Sequence, residues 1–234
     1  MKYLNSFFFF ISLFFYLSLD AVPDYGEQTY NPESANFNYK KAQAGLSEDS
    51  NELFNIINKH LYFSANFEQT TLHEKGKRII KGEIRAQRSG IFKISYSEPL
   101  NEVMFSNGKD IYRFDPELEQ LIIQPLEELL KETPVGLFTL NLKEIKKLFI
   151  FSECQKNLNQ FSCLLLSKKE NSFIEWIKIE VKNNVFDSFE YLDTFGQTVT
   201  LKFNNVSLSK IPNYEFKLNI PEGTDIVNFR NRNK

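Results

Sequence analysis

Short segments in which apolar and polar residues alternate, separated only by turns, fill residues 63–124 of this chain. Between Ile80 and Gln87 the even-numbered residues are Ile, Gly, Ile and Ala, and the odd-numbered residues are Lys, Glu, Arg and Gln. This two-residue period is typical of a β-strand with one buried face. Turn-forming residues such as Asn107-Gly108 follow each segment, so the stretch is predicted to be an antiparallel meander.

The same pattern returns in the second half of the chain. Further strands are predicted at residues 148–154, 161–166, 177–182, 185–191, 199–203 and 214–220. Each predicted strand has one apolar face, so the sheet is expected to curl around a single apolar interior. A length of 234 residues fits one all-β domain of this kind.

Two stretches break the β pattern. Leu53, Phe54, Ile57 and Leu61 are at helical spacing, which predicts a helix with one apolar stripe. Residues 125–147 read as small apolar helices inserted into the meander, and this insertion is longer than an ordinary connection. It is predicted to be a lid over a binding cavity, with a plug that caps a barrel end as the alternative.

The two ends of the chain differ from its centre. Met1-Lys2 and the apolar run of residues 7–19 are typical of a secretory signal peptide, and the run is shorter than the about 20 apolar residues of a membrane span. A retained anchor is the less favoured alternative. We expect residues 1–21 to be a cleaved signal peptide, 22–48 a flexible polar leader, 49–228 a single domain and 229–234 a polar tail.

The expected location of the protein decides how its two cysteines are interpreted. A secreted chain reaches an oxidising compartment, where disulfides form. Cys154 and Cys163 flank a polar hairpin tip, and a turn centred on Leu158-Asn159 would place them directly opposite each other. A disulfide is the favoured interpretation, and two unpaired thiols are the alternative that an uncertain hairpin register leaves open.

Charge and motifs exclude several classes of function. With 28 basic and 30 acidic residues the formal net charge is -2, so no overall positive field attracts nucleic acid. His60 and His73 have no metal-ligand spacing relative to the cysteines, so no metal site is predicted. The sequence has no G-x-S-x-G, H-E-x-x-H or phosphate-binding motif. We therefore expect no catalytic residues, no cofactor and no enzymatic activity.

A set of short motifs runs through residues 51–227 in a fixed order. They are Phe67-Glu68-Gln69, Arg88-Ser89-Gly90-Ile91-Phe92, Asn107-Gly108-Lys109, Tyr112-Arg113-Phe114-Asp115-Pro116, Glu119-Gln120, Asp193, Gly196-Gln197 and Pro221-Glu222-Gly223-Thr224-Asp225. No single motif is specific, but their order and spacing resemble the LolA family of outer-membrane lipoprotein carriers.

This resemblance implies a mainly β fold, an incomplete, unclosed antiparallel β-barrel with a helical lid, as in LolA and LolB. It also implies a periplasmic chaperone that binds the acyl chains of lipoproteins. The cargo would be released by an inner-membrane ABC transporter and delivered to the outer membrane, through a receptor similar to LolB. A monomer is expected.

The resemblance also assigns residues. Arg88 corresponds to the family's latch arginine, which donates hydrogen bonds to the lid and keeps the empty cavity closed. A solvated arginine at a turn is the alternative. Large apolar side chains are predicted to line the acyl-chain cavity, although each alone would also fit an ordinary core. They are Phe67, Phe92, Phe105, Phe114, Leu129, Phe138, Leu201 and Phe216.

A module of the same architecture with another task is the competing interpretation. It would carry a different lipid or act as an envelope sensor. The lipidated outer-membrane receptor is excluded, because it needs a cysteine directly after the signal peptide and none precedes Cys154. A different lipid cargo remains open as the alternative.

Overall fold

The structure, a computed structural model, describes residues 48–73, 76–97, 99–129, 134–168 and 172–230. The predicted signal peptide, the leader except its last residue, and residues 231–234 of the predicted tail lie outside this part. The strands are β1 Tyr62–His73, β2 Gly76–Gln87, β3 Ile91–Tyr96, β4 Val103–Asn107, β5 Asp110–Asp115, β6 Gln120–Pro125, β7 Phe149–Asn157, β8 Gln160–Ser167, β9 Ile174–Lys182, β10 Val185–Asp193, β11 Thr198–Ser207 and β12 Asp225–Asn228. The helices are α1 Glu48–Lys59, α2 Leu126–Leu129, α3 Gly136–Thr139, α4 Leu142–Leu148 and a 3₁₀ helix, Asn213–Phe216.

All twelve of these strands form one sheet in the order β12-β6-β5-β4-β3-β2-β1-β11-β10-β9-β8-β7. Neighbouring strands are antiparallel except β12, which runs parallel to β6. The long strand β1 joins two meanders, one ending at β6 and the other at β7. The sheet has two ends and does not close, so the predicted unclosed β-barrel with a small helical component is confirmed.

The concave face of the sheet carries the main core. In β2 the residues Ile80, Gly82, Ile84 and Ala86 are buried while their neighbours are more exposed, as the two-residue period predicts. The inward residues of β1 continue this face and begin with Phe63. The alternation therefore places a continuous apolar surface inside the curl of the sheet.

One row across this face depends on a glycine. Phe67 on β1, Gly82 on β2 and Tyr96 on β3 are neighbours in register. The Phe67 ring lies over Gly82 and reaches Tyr96, with 5.8 Å between the ring centroids. A Cβ atom at position 82 would lie 2.8 Å from Cζ of Phe67 and closer still to the carbonyl oxygen of Ser95. The missing side chain makes room for the phenyl ring.

The convex face is also partly apolar. Phe114, Leu121 and Ile123 form a second buried cluster on the outer side of β5 and β6, and the C-terminal segment covers it with Leu218 and Ile220. Residues 214–220 were predicted to form the last long strand, and this prediction is wrong. The segment contains the 3₁₀ helix and an extended stretch, because it crosses over the sheet instead of pairing with its edge.

Helix α1 covers the end of the sheet near β7. Leu53, Phe54 and Ile57 are buried as the helical spacing predicts, and the helix contacts β7, β8 and α4. Leu61 was expected to belong to the same apolar stripe, but it is 59% exposed. The helix ends at Lys59, so Leu61 no longer follows its period. None of the described helices has the length and apolar composition of a membrane span.

The β7–β8 hairpin brings the cysteines together. Asn157 pairs with Gln160 across a two-residue turn, and a register shift follows at Glu153, whose φ is 46°. The structure contains a disulfide between Cys154 and Cys163. The bridge therefore ties two neighbouring strands near the free edge of the sheet.

Substitution of Gly82 by alanine tests the packing of the concave face. Since the added methyl group overlaps Phe67 and the backbone of β3, Gly82→Ala is expected to lower the free energy of unfolding by about 1–3 kcal/mol. Lys81→Ala, at the adjacent exposed position, should change it by less than about 0.5 kcal/mol. Urea unfolding measures both, and equal effects of the two substitutions would contradict the proposed packing.

Candidate functional site

The hollow of the sheet is lined by phenyl rings. Phe63 of β1, Phe203 of β11 and the β10 residues Phe186 and Phe189 all face inward and are buried. Their ring centroids lie 5.2–5.9 Å apart in edge-to-face contacts, for example 5.4 Å between Phe63 and Phe203. Aromatic rings in such an arrangement offer a large apolar surface with no group that demands a hydrogen bond.

The short helix α3 inserts a fifth ring into this set. Phe138 stacks on Phe63 at 4.3 Å and on Phe189 at 5.0 Å, and it meets Phe186 and Phe203 edge-on. Phe138 is only 3% exposed. The segment from α3 to α4, which we call the lid, therefore fills the hollow with its own side chain.

Hydrogen bonds between residues close in sequence define the shape of the lid. Thr139 donates its hydroxyl to the carbonyl of Val135, and the amide of Leu140 donates to the carbonyl of Gly136. Asn141 then starts α4 with a capping box, in which its side chain accepts from the amide of Glu144 and the Glu144 carboxylate accepts from the amide of Asn141. Capping of this kind fixes where the chain turns between the two helices.

Arg88 joins the lid to the sheet. Its guanidinium donates to the carbonyl of Leu140, to the carbonyl of Leu137 at 3.1 Å, and to the carbonyl of His60 at 3.2 Å. The first two acceptors are in the lid, and the third lies just after α1. One side chain at the β2–β3 turn therefore holds both helical elements that border the hollow.

The environment of Arg88 is unusual for a cation. The guanidinium is half-buried, and burial lowers the pKa of Arg88 to about 10 because it removes water from the charged form. The group remains protonated at neutral pH. Its bonds to the lid all go to neutral backbone carbonyls rather than to a carboxylate. Such a contact is directional and can be broken without separating an ion pair.

The turn that carries Arg88 is fixed on several sides. The amide of Arg88 donates to the carbonyl of Leu61, and the amide of Gly90 donates to the carbonyl of Thr139 in the lid. Gly90 has a φ of +82°, and a Cβ atom there would lie 3.2 Å from Cα of Gly108. Both observations favour glycine at this position.

His60 is a functional candidate that the sequence did not reveal. The residue is 2% exposed, its Nε2 atom lies 2.9 Å from the carbonyl oxygen of Asn184, and its Nδ1 atom has no partner among the described residues. Burial, and to a smaller extent the charge of Arg88, lower its pKa below the usual value of 6.5. A neutral ring beside Arg88 is therefore favoured at neutral pH.

The residues predicted to line the cavity divide between the two faces. The hollow contains Phe67, Phe92, Phe138 and Leu201. The convex face contains Phe105, which contacts Tyr112, together with Phe114 and Phe216. Leu129 ends α2, and its side chain lies outside the described part.

The placement of Phe105, Phe114 and Phe216 in the cavity is therefore corrected. Strands β4 to β6 are apolar on both faces because the C-terminal segment packs against their outer side. Alternation identifies which residues share a face, but it does not identify the concave one when both faces are buried. In the described residues no group of three or more His, Cys, Asp and Glu side chains could hold a metal ion.

An open β-sheet whose apolar concave face is covered by a short helical segment is an architecture suited to carrying apolar chains. The family model described as outer membrane lipoprotein carrier protein LolA matches residues 58–219. The chain belongs to this family, which confirms the predicted family. It is a periplasmic lipoprotein chaperone, as the resemblance implied.

Individual relatives agree with this assignment. The outer-membrane lipoprotein carrier protein of Pseudomonas putida KT2440 is 28% identical over 190 residues, which cover 80% of this chain and 90% of the relative. That of Pseudomonas aeruginosa UCBPP-PA14 is 25% identical over 189 residues, covering 80% and 90%. A crystal structure of an uncharacterized conserved protein from Thermus thermophilus shares the fold, with a TM-score of 0.51, 11% identity, and coverage of 78% of this chain and 100% of that one.

Truncation of the lid's aromatic ring tests whether it competes for the hollow. Phe138→Ala is expected to lower the free energy of unfolding by about 3–5 kcal/mol and to raise the affinity for the apolar probe 1-N-phenylnaphthylamine, because the space taken by the ring becomes available. Fluorescence titration and urea unfolding measure these effects.

Phe105→Ala is the matched control, since it removes a phenyl ring from the convex face. It should reduce stability without a change in probe affinity. An equal increase in probe affinity for both variants would contradict the assignment of Phe138 to the hollow. No increase for either variant would contradict it as well.

Proposed function

We propose that this chain carries lipoproteins by exchanging their acyl chains for its own lid residue Phe138, with Arg88 as the latch that favours the empty, closed state. The observation that carries this proposal is the joint placement of the two residues. Phe138 occupies the centre of the aromatic hollow, and Arg88 holds the segment to which Phe138 belongs.

The size of the hydrophobic effect decides how cargo must move. Burial of one CH₂ group contributes about 0.8 kcal/mol, so an acyl chain with about 12 buried methylenes gains roughly 10 kcal/mol. A cargo with several chains would not dissociate into water at a useful rate. Loading and unloading are therefore direct transfers between apolar sites, and an acceptor that binds tenfold better needs an advantage of only about 1.4 kcal/mol.

The lid supplies part of that advantage. An open lid leaves Phe138 without its ring partners and Arg88 without its carbonyl acceptors. A hydrogen bond to a charged group contributes about 1.5–3 kcal/mol. Return of the lid restores both sets of contacts, so the closed state competes with bound cargo and promotes its release.

The donor and the acceptor must themselves shield acyl chains. An inner-membrane ABC transporter that releases lipoproteins is the proposed donor, and an outer-membrane receptor similar to LolB is the proposed acceptor. Neither exchange requires a reactive group in this chain. The aromatic lining and the latch perform binding and release without bond chemistry, which supports a carrier rather than an enzyme.

Replacement of Arg88 separates loading from release. Arg88→Leu is expected to bind a tripalmitoylated cysteinyl peptide but to hand it over about 10- to 100-fold more slowly, because the closed lid loses its hydrogen bonds and competes less well. Purified protein loaded with fluorescent lipopeptide and mixed with phospholipid vesicles gives the transfer rate.

Arg85→Leu is the control, because Arg85 lies near the end of β2, three residues before Arg88, but forms its ion pairs with Glu83 and Glu215 on the convex side. It should transfer at the rate of the unchanged protein. Normal transfer by Arg88→Leu would show that Arg88 is not the latch.

A further inference from the structure

His60 lies where three elements that border the hollow meet. Its amide donates to the carbonyl of Ile57 at the end of α1, with 3.2 Å between nitrogen and oxygen. Its ring reaches the β9–β10 turn, where Nε2 lies 2.9 Å from the carbonyl oxygen of Asn184. Its own carbonyl accepts from Nε of Arg88 at 3.2 Å. One residue therefore connects α1, the β9–β10 turn and the latch.

The ring of His60 also touches the aromatic lining of the hollow. It meets Phe186 edge-on, with 4.9 Å between the ring centroids, and Phe186 in turn meets Phe138 of the lid at 5.3 Å. The imidazole is thus held by a hydrogen bond at one atom and by a phenyl ring at its face or edge. Closely packed groups move together, so displacement of the ring is expected to move the carbonyl that Arg88 uses.

The partner of Nε2 determines which ring nitrogen has the proton. The carbonyl oxygen of Asn184 can only accept, so Nε2 is assigned the hydrogen and donates it. In the neutral ring Nδ1 then has a bare lone pair, and it has no partner among the described residues. A second proton, on Nδ1, would create a buried N–H donor without an acceptor there.

The charged groups around the imidazole do not compensate a positive charge on it. On the β2–β3 turn the charged group is Arg88, a cation that acts on the ring. Beyond the two asparagines of the β9–β10 turn, Lys182 and Asp187 form an ion pair with each other at 2.7 Å. On α1, Lys59 is exposed. In the described part of the chain no carboxylate shifts the pKa of the ring.

We propose that His60 is a positioning residue for the latch and makes the latch sensitive to acid. The neutral ring holds the carbonyl that accepts from Arg88, and protonation of the ring withdraws this carbonyl. The role rests on the proposed latch function of Arg88. It adds a condition to that function, because the closed lid competes fully with cargo only when His60 is neutral.

The direction of the pH dependence follows from burial. Desolvation lowers the pKa of His60 from 6.5, the hydrogen bond to Asn184 opposes this effect, and the charge of Arg88 lowers the pKa further. The ring therefore binds a proton less readily in the closed state than in water. Its contribution to the closed state is present above about pH 6.5, and it decreases as the pH falls below this value toward the lowered pKa.

A weaker latch changes transfer more than it changes binding. In the proposed mechanism the return of the lid promotes release, so a latch without its acceptor leaves cargo bound for longer. Handover should therefore slow in acid, which is the direction expected for Arg88→Leu. The phenyl rings of the hollow do not titrate, so apolar binding alone gives no pH dependence.

Transfer of a fluorescent tripalmitoylated cysteinyl peptide to phosphatidylcholine vesicles, measured at about pH 7.5 and about pH 5.5, tests the proposal. Phosphatidylcholine is zwitterionic throughout this range, so the acceptor membrane does not titrate. For the unchanged protein the transfer rate should be about three- to tenfold lower at the acidic pH. This factor corresponds to the loss of one hydrogen bond of ordinary strength.

Three variants separate positioning from a general effect on folding. His60→Gln keeps an N–H donor for Asn184 but has no proton to gain, so its rates at the two pH values should be equal. His60→Phe keeps a ring against Phe186 but loses the donor, so at about pH 7.5 it should transfer more slowly than His60→Gln. His73→Gln replaces the other histidine, at the far end of β1, and should keep the pH dependence of the unchanged protein.

Arg88→Leu provides a further comparison, because His60 acts through Arg88. Its transfer rate should be the same at both pH values. Thermal unfolding at each pH verifies that all variants are folded.

Three results would overturn the role of His60. They are equal rates for the unchanged protein at both pH values, an undiminished pH dependence in His60→Gln, and a pH dependence that persists in Arg88→Leu. The carrier function would stand in each case, because transfer itself would have been observed. By contrast, failure of the unchanged protein to bind the lipopeptide at either pH would overturn the carrier function.

Discussion

The structure depends on a half-buried guanidinium whose lid contacts are neutral carbonyls. Arg88 donates three hydrogen bonds, to the carbonyls of Leu137 and Leu140 in the lid and of His60 after α1. Burial makes these bonds stronger than they would be in water, and it also makes their loss costly unless another arrangement solvates the cation. The proposed latch role requires two states of Arg88, one bound to the lid as in this structure and one exposed to water.

The second constraint is that the hollow must be filled at all times. Without a partner, the phenyl rings of the sheet would border an unfavourable empty space. The ring of Phe138 fills this space. In the proposed mechanism the ring of Phe138 occupies the space that the cargo takes when it binds. Under this proposal the competition lowers the net binding free energy of the cargo, so that a site with a large apolar surface can still release it.

Alternation and turn chemistry predicted the curled sheet and the helical insertion because these signals are local, whereas the unclosed barrel and a latch role for Arg88 were implied by the resemblance to the LolA family. The sequence prediction misplaced Phe105 and Phe114, because the packing of the C-terminal segment on the convex face is a long-range feature that no period encodes. The burial of His60 and its contact with the backbone carbonyl of Asn184 also depend on how the sheet curls. Such contacts become visible only when strands distant in sequence are brought together.

Amide hydrogen exchange, compared between the empty protein and the protein saturated with tripalmitoylated peptide, tests displacement of the lid most directly. Ligands usually increase protection, because they stabilise the folded state. Exchange of cargo for Phe138 predicts the opposite at Gly90 and Leu140, whose amides donate to the carbonyls of Thr139 and Gly136 in the closed state. Faster exchange at these amides on loading is the expected result. Unchanged or slower exchange at saturation would contradict it.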